Sequence, residues 1–231
     1  TWTALPNMNN GRWYPTSITL GNGDMLVVSG MADTNSGANL VPQVWQTASG
    51  TWRNLNNAQL QQPYYPYMFL APDGRVFNAG PSRTTRSLNT SGSGAWTVIG
   101  NNKYGTRNWG SAALYDDGKV LLIGGITGDF YDATSATAPT ATAEVIDLNA
   151  PAPAWRYVAS MAYARKHHNA TILPDGNVLV TGGSSGAENT ADPSTNPAYA
   201  AEMWDPTTET WTTLASNTVY RGYHSTALLL P

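Results

Sequence analysis

Five tryptophans punctuate this chain: Trp2, Trp52, Trp96, Trp155 and Trp211, spaced 50, 44, 59 and 56 residues apart. A second marker keeps step with them. It is a turn pair followed by a β-rich run: Gly23-Asp24 before Met25-Leu26-Val27-Val28, Asp73-Gly74 before Arg75-Val76-Phe77, Asp117-Gly118 before Lys119-Val120-Leu121, and Asp175-Gly176 before Asn177-Val178-Leu179. Three of these runs end in Gly124-Gly125, Gly182-Gly183 or the related Ser29-Gly30. A repeat of this length is too small to bury its own apolar face, so successive units must stack on one another. Asp-Gly between apolar runs predicts a tight hairpin with both turn residues at positive φ.

Each unit reads as four short strands. Strand a is apolar (Tyr14 to Leu20, Tyr65 to Leu70, Trp109 to Leu114, His167 to Leu173), the turn gives strand b, and strand c is typified by Ala201-Glu202-Met203-Trp204. A polar turn then leads into strand d at the spaced Trp. A repeat near 50 residues with a glycine pair and a spaced Trp is the kelch signature. No segment of length shows a 3.6-residue period, so the fold is predicted to be all-β, a kelch-type β-propeller. Four complete four-stranded blades are expected over about 11–55, 63–99, 107–158 and 165–214, with partial strands at 1–5 and 221–231. The chain is expected to be a segment of a larger, seven-bladed propeller, because partial strands at both ends do not close a ring.

Composition removes several functions. Twelve basic against fifteen acidic residues give a net charge of −3, so no broad positive field draws nucleic acid or anionic lipid. No apolar run approaches the roughly 18 residues of a membrane span. Charged residues make up 12% and only three are Lys, which with the abundant Asn, Ser and Thr points to a secreted protein. There is no Cys, hence no disulfide or thiolate ligand within the chain.

Counting seven residues back from the position before Asn22-Gly23, Asp73-Gly74, Asp117-Gly118 and Asp175-Gly176, and from Pro231 where the repeat predicts the next turn, aligns the strands a. That column holds Tyr14, Tyr65, Trp109, His167 and His224. Strand a is the innermost strand of a blade, so one register corresponds to one height beside the central axis. The simplest reading of Tyr65 and Trp109 is a packed aromatic plug. His167 and His224 are two of only three histidines, and the third, His168, adjoins the first. Imidazole suits copper and zinc. Carboxylates are scarce in these strands, which disfavours a glycosidase pair or a hard-cation site. Neither a Gly-x-Ser-x-Gly elbow nor a phosphate loop occurs.

The segments Gly11-Arg12-Trp13-Tyr14-Pro15-Thr16, Phe77-Asn78-Ala79-Gly80-Pro81-Ser82, Thr90-Ser91-Gly92-Ser93-Gly94, Ala164-Arg165-Lys166-His167-His168-Asn169 and Tyr223-His224-Ser225 occur in order. Along essentially the whole chain they resemble the galactose oxidase and glyoxal oxidase family of copper radical oxidases. That resemblance implies oxidation of an aldehyde or primary alcohol, with O2 reduced to hydrogen peroxide. It implies copper bound by Tyr14, Tyr223 and His224. Tyr14 would be the radical carrier and Tyr223 the base for the substrate hydroxyl, with Trp13, Tyr65, Trp109, His167 and His168 lining the pocket. A metal-bound phenol loses its proton well below its free pKa of about 10, which prepares both roles. Tyr223 and His224 are neighbours, and strand neighbours point to opposite faces. Both reach one metal only if the strand is just beginning or bulged, which Gly222 would allow.

The sequence departs from the family at several points. The family's tyrosine–cysteine cross-link cannot form within this chain, and its second copper histidine comes from a later domain. Galactose oxidase stacks a Trp over the cross-link from the loop after the first strand b, where this chain reads Met31-Ala32-Asp33-Thr34. A sugar-contacting arginine is also missing from Gln61-Gln62-Pro63-Tyr64-Tyr65. Both departures favour glyoxal-type aldehydes over galactose, and the 231 residues alone are expected to be inactive. The alternative is a non-catalytic kelch module that binds carbohydrate or protein through its loops.

Overall fold

The computed structural model describes residues 1–33, 37–128, 137–186 and 196–230. Thr34 of the first b–c loop and the terminal Pro231 lie outside the described residues. Among the described residues every regular element is a strand, and four sheets of four strands form. Blade 1 holds β1 (Thr16–Thr19), β2 (Met25–Val28), β5 (Gln43–Gln46) and β6 (Thr51–Asn54), with a small ribbon of β3 (Met31–Asp33) and β4 (Gly37–Ala38) between β2 and β5. Blade 2 holds β7 (Tyr67–Leu70), β8 (Val76–Gly80), β9 (Thr84–Asn89) and β10 (Ala95–Asn101). Blade 3 holds β11 (Ser111–Asp116), β12 (Lys119–Ile123), β13 (Ala143–Asp147) and β14 (Arg156–Val158). Blade 4 holds β15 (Lys166–Ile172), β16 (Val178–Ser184), β17 (Ala200–Asp205) and β18 (Thr210–Ser216). The fold is the all-β, kelch-type arrangement expected from the repeat.

The chain divides into two compact units, residues 1–80 with 84–99, and residues 81–83 with 100–231. In the first, Leu26, Val28 and Val44 of blade 1 pack with Met68, Val76 and Leu88 of blade 2, alongside Leu55 and Ala58. In the second, Leu121, Ile123 and Val145 of blade 3 pack with Val178, Val180 and Trp204 of blade 4. The repeated tryptophans clip this stacking. Trp52 Nε1 donates to the Pro6 carbonyl at 2.8 Å, Trp96 Nε1 to Ala58 at 2.9 Å and Trp211 Nε1 to Ala159 at 2.8 Å. Each outer strand is thereby held to a segment that precedes its own blade.

Two expectations need correction. No strand forms at Thr1–Leu5 or over residues 221–230, and Trp2 is fully exposed. A strand exists only as one side of a ladder, and neither stretch has a ladder partner among the described residues. The turns also differ. In blades 1, 2 and 4 the loop holds three residues, closed by Gly23, Gly74 and Gly176 donating to the carbonyls of Leu20, Ala71 and Leu173 at 2.9, 2.9 and 3.0 Å. Only the glycine takes positive φ, at +84°, +80° and +86°. This is a type I turn followed by a left-handed glycine, the three-residue hairpin loop, not the two-residue mirror-image turn. Asp73 and Asp175 instead accept the N–H groups of Arg75 and Asn177 at 3.0 and 3.1 Å.

A repeated buried arginine organises three blades. Arg107 donates to the Gly124 and Thr142 carbonyls at 2.8 and 3.1 Å and pairs with Glu144 at 2.6 Å. Arg165 donates to the Gly182 and Ala200 carbonyls at 2.8 and 2.5 Å and pairs with Glu202 at 2.8 Å. All four side chains are fully buried. Arg12 repeats the pattern on the Ser29 and Val41 carbonyls, at 3.0 and 2.5 Å, but faces the neutral Gln43 at 3.3 Å. Desolvation without a carboxylate lowers the Arg12 pKa to about 10. Removing one partner of a buried pair leaves an uncompensated charge, a loss of about 3–5 kcal/mol. Glu202→Ala should therefore shift the urea unfolding midpoint sharply downward, whereas Glu209→Ala, which removes the exposed partner of Arg156, should cost at most about 1 kcal/mol.

Candidate functional site

The five residues of the strand-a column share one backbone state. Tyr14, Tyr65, Trp109, His167 and His224 have φ of +64°, +49°, +56°, +57° and +62°. Left-handed backbone is unfavourable for bulky L-residues and clusters at functional sites. Backbone bonds link the column within each unit: Tyr65 N–H donates to the Tyr14 carbonyl at 3.1 Å, and His167 N–H to the Trp109 carbonyl at 2.7 Å.

In the first unit this places four aromatic rings together. Trp13 lies on Tyr14 with centroids 3.8 Å apart and planes at 18°, and Tyr65 lies on Tyr14 at 4.6 Å and 28°. Tyr64 meets Trp13 and Tyr14 edge-on, at 5.4 and 6.0 Å. Trp13 remains 53% exposed and Tyr65 44% exposed. Desolvation raises the Tyr65 pKa, and the neighbouring Tyr14 adds to the rise. Trp13 also bridges β3, its N–H donating to the Met31 carbonyl and its carbonyl accepting from Met31 N–H, both at 2.8 Å.

The second unit carries a parallel series. The Trp109 and His167 centroids are 4.8 Å apart, His167 and Tyr223 5.1 Å, and Tyr223 and His224 3.9 Å with planes at 23°. Tyr223 and His224 therefore present stacked rings on one side of the backbone. The relief does not come from Gly222, as the sequence suggested. His224 itself takes the left-handed conformation that breaks strand alternation, while Gly222 gives space to the Tyr220 phenol. Among the described residues no three His, Cys, Asp or Glu side chains gather at one point. What the sequence reading missed was the arginine two residues before Tyr14, Trp109 and His167, and the ring contact of Trp13. The arginine was visible as a repeated Arg-x-column pattern.

His167 and His168 are neighbours near the start of β15. His168 is buried and neither ring nitrogen has a hydrogen-bond partner; Nε2 of His167 is likewise buried and unpartnered. Gly124 makes room for His168, because a Cβ there would sit 2.6 Å from its Cε1. Desolvation, with help from Lys166 and His224, lowers the His167 pKa to about 4; desolvation, with Arg165, His167 and Arg107, lowers that of His168 to about 3. The sign follows directly. The unfolded chain binds protons near pH 6.5 and the folded one does not, so stability falls as pH drops from about 6.5 toward 4. Histidine Cε1–H resonances of His167 and His168 should stay at their neutral positions down to pH 5.

The family model of the glyoxal oxidase N-terminus matches residues 1–231. A galactose oxidase of Gibberella zeae is 29% identical over 257 residues, covering 100% of this chain and 36% of its own length. The aldehyde oxidase GLOX of Vitis pseudoreticulata is 26% identical over 245 residues, covering 100% and 46%. A fungal alcohol oxidase of the AA5 family, solved in complex with copper, superposes with a TM-score of 0.81 at 28% identity, covering 97% of this chain and 48% of its own. The structure of YjhT superposes at 0.72 with 14% identity, a likeness of fold alone. The chain thus spans about a third to a half of the length of the oxidases it matches. By a match that runs from its first residue to its last, it belongs to the glyoxal oxidase N-terminus family.

Proposed function

We propose that the chain is the propeller core of a secreted copper radical oxidase, oxidising aldehydes or primary alcohols with O2 and yielding hydrogen peroxide. One observation carries the reading: the full-length family match coincides with the motif residues Tyr14 and His224 being held in left-handed backbone, each stacked on its neighbour. The donor chemistry fits, since phenol oxygens and imidazole nitrogen suit copper, and Tyr223 and His224 present their rings on one side. Tyr14, Tyr223 and His224 are the proposed ligands, assigned by motif. Copper, when bound, would favour the phenolate forms and accept one of the two substrate electrons.

The chain's own residues have distinct roles in this proposal. Tyr223 Oη takes the proton from the substrate hydroxyl. Tyr14 Oη, as a radical, takes a hydrogen atom from the adjacent carbon. His167 stays neutral at working pH and so sets no positive charge against the metal ion. Trp109 and Trp13 shape the pocket wall, and the reading Met31-Ala32-Asp33 in place of a stacking Trp favours small aldehydes over galactose. The exposed rings of Trp13 and Tyr65 also favour a second reading, a non-catalytic carbohydrate-binding face.

The deciding experiment uses the full-length protein, loaded with copper in air and assayed for peroxide with glyoxal, methylglyoxal and galactose. Removing a positioned proton acceptor costs about 10²–10⁴-fold in turnover, and Tyr223→Phe should fall in that range. Tyr14→Phe should abolish peroxide formation. Equal activity in wild type and Tyr14→Phe would reduce Tyr14 to packing and leave the carbohydrate reading.

A further inference from the structure

The position of Trp13 has no part in the proton or hydrogen transfers above. Trp13 and Tyr65 both lie nearly parallel to Tyr14, with centroids at 3.8 and 4.6 Å. Two rings that close and that parallel cannot share one face of a phenol, because they would overlap each other. They therefore cover opposite faces, and Tyr14 is the middle ring of a three-ring stack. The geometry of the dipeptide produces this. With Tyr14 at φ +64°, consecutive side chains fall on the same side, and the Trp13 backbone is fixed by its paired bonds to Met31.

Trp13 is both the closer partner and the more exposed, at 53%. Indole and phenol are the two side chains most readily oxidised by one electron, and stacked rings in contact exchange electrons faster than any competing process at a distance. We propose that Trp13 is an electron relay between solvent and Tyr14, through which a soluble one-electron oxidant generates the Tyr14 radical. In the first step Trp13 gives one electron to the oxidant. Tyr14 then gives one electron to the Trp13 radical cation and its phenolic proton to water. The net change is one electron gained by the oxidant, a neutral radical on Tyr14 and Trp13 restored. The use of that radical rests on the copper radical oxidase reading; the electron transfer does not.

Pulse radiolysis of the full-length, metal-free protein with azide radical, a one-electron oxidant selective for indole, tests the relay without turnover. The decay of indolyl radical into tyrosyl radical should contain a fast phase that is absent in Tyr14→Phe. Trp13→Phe keeps a stacking ring that cannot be oxidised under these conditions, and should lose that phase. Trp13→Tyr should restore it in part, and Trp2→Phe, which removes a fully exposed indole stacked on nothing in the first unit, should leave it unchanged. Persistence of the fast phase in Trp13→Phe, or an identical trace from Tyr14→Phe and wild type, would overturn the proposal. A parallel peroxide assay on the copper-loaded protein separates the two claims, since a working relay with no peroxide sinks only the oxidase reading.

Discussion

A buried guanidinium at the entry to an inner strand, two residues ahead of the left-handed column residue, sets the geometry on which blades 3 and 4 depend. Arg107 and Arg165 have no access to water, so each must place its donors on protein acceptors or forfeit the desolvation cost. Each does so on a carbonyl near the C-terminal end of strand b, on a carbonyl near the start of strand c, and on a strand-c glutamate. Three strands are thereby fixed at one end of the blade. The lead-in is pinned at the arginine and the ladder resumes one to four residues beyond. The column residue two positions after the arginine absorbs the bend by turning left-handed, at about 1–3 kcal/mol each. Blade 2 reaches the same bend without the ion. Pro63 stands in the arginine's place, and Ser29 Oγ donates to the Gln62 and Pro63 carbonyls at 3.1 and 2.8 Å.

That constraint explains why much of the architecture was legible and part was not. Hairpin loops fix strand register, and the five residues that the count places in one column share one backbone state. The tryptophan spacing was legible because the indole N–H groups of Trp52, Trp96 and Trp211 serve the same clip. Turn chemistry was misread because the pair Asp-Gly does not reveal whether its loop holds two residues or three. The end segments were misread because Thr1–Leu5 and residues 221–230 have strand-like composition but no place in a ladder among the described residues. The left-handed bend itself leaves no trace in residue type, since Tyr, Trp and His are poor choices for it. Its sign in the sequence was the arginine beside it, a residue that motif reading treats as spelling.

The bend also changes what a dipeptide can do. In a regular strand Trp13 and Tyr14, or Tyr223 and His224, would face opposite sides of the sheet. With the second residue at positive φ, each pair stacks at 3.8 or 3.9 Å on one side. Two chemically active rings then occupy the space one strand position ordinarily supplies. The motif reads as adjacent letters, but the stacking of its rings depends on the conformational exception between them.

The same economy governs charge. With charged residues at 12% of the chain, four charged side chains are spent in fully buried pairs far from any solvent field. Lys166 Nζ lies over the Trp109 ring at 5.3 Å, where the ring's negative face receives it. Set between that ammonium and the Arg165 guanidinium, His167 and His168 are kept neutral by desolvation first and by like charge second. A neutral imidazole keeps its lone pair and adds no repulsion to an incoming cation. Blade 4, whose His167 ring lies 5.1 Å from that of Tyr223, thus carries two imidazoles that do not compete for protons at ordinary pH, and that state follows first from their burial.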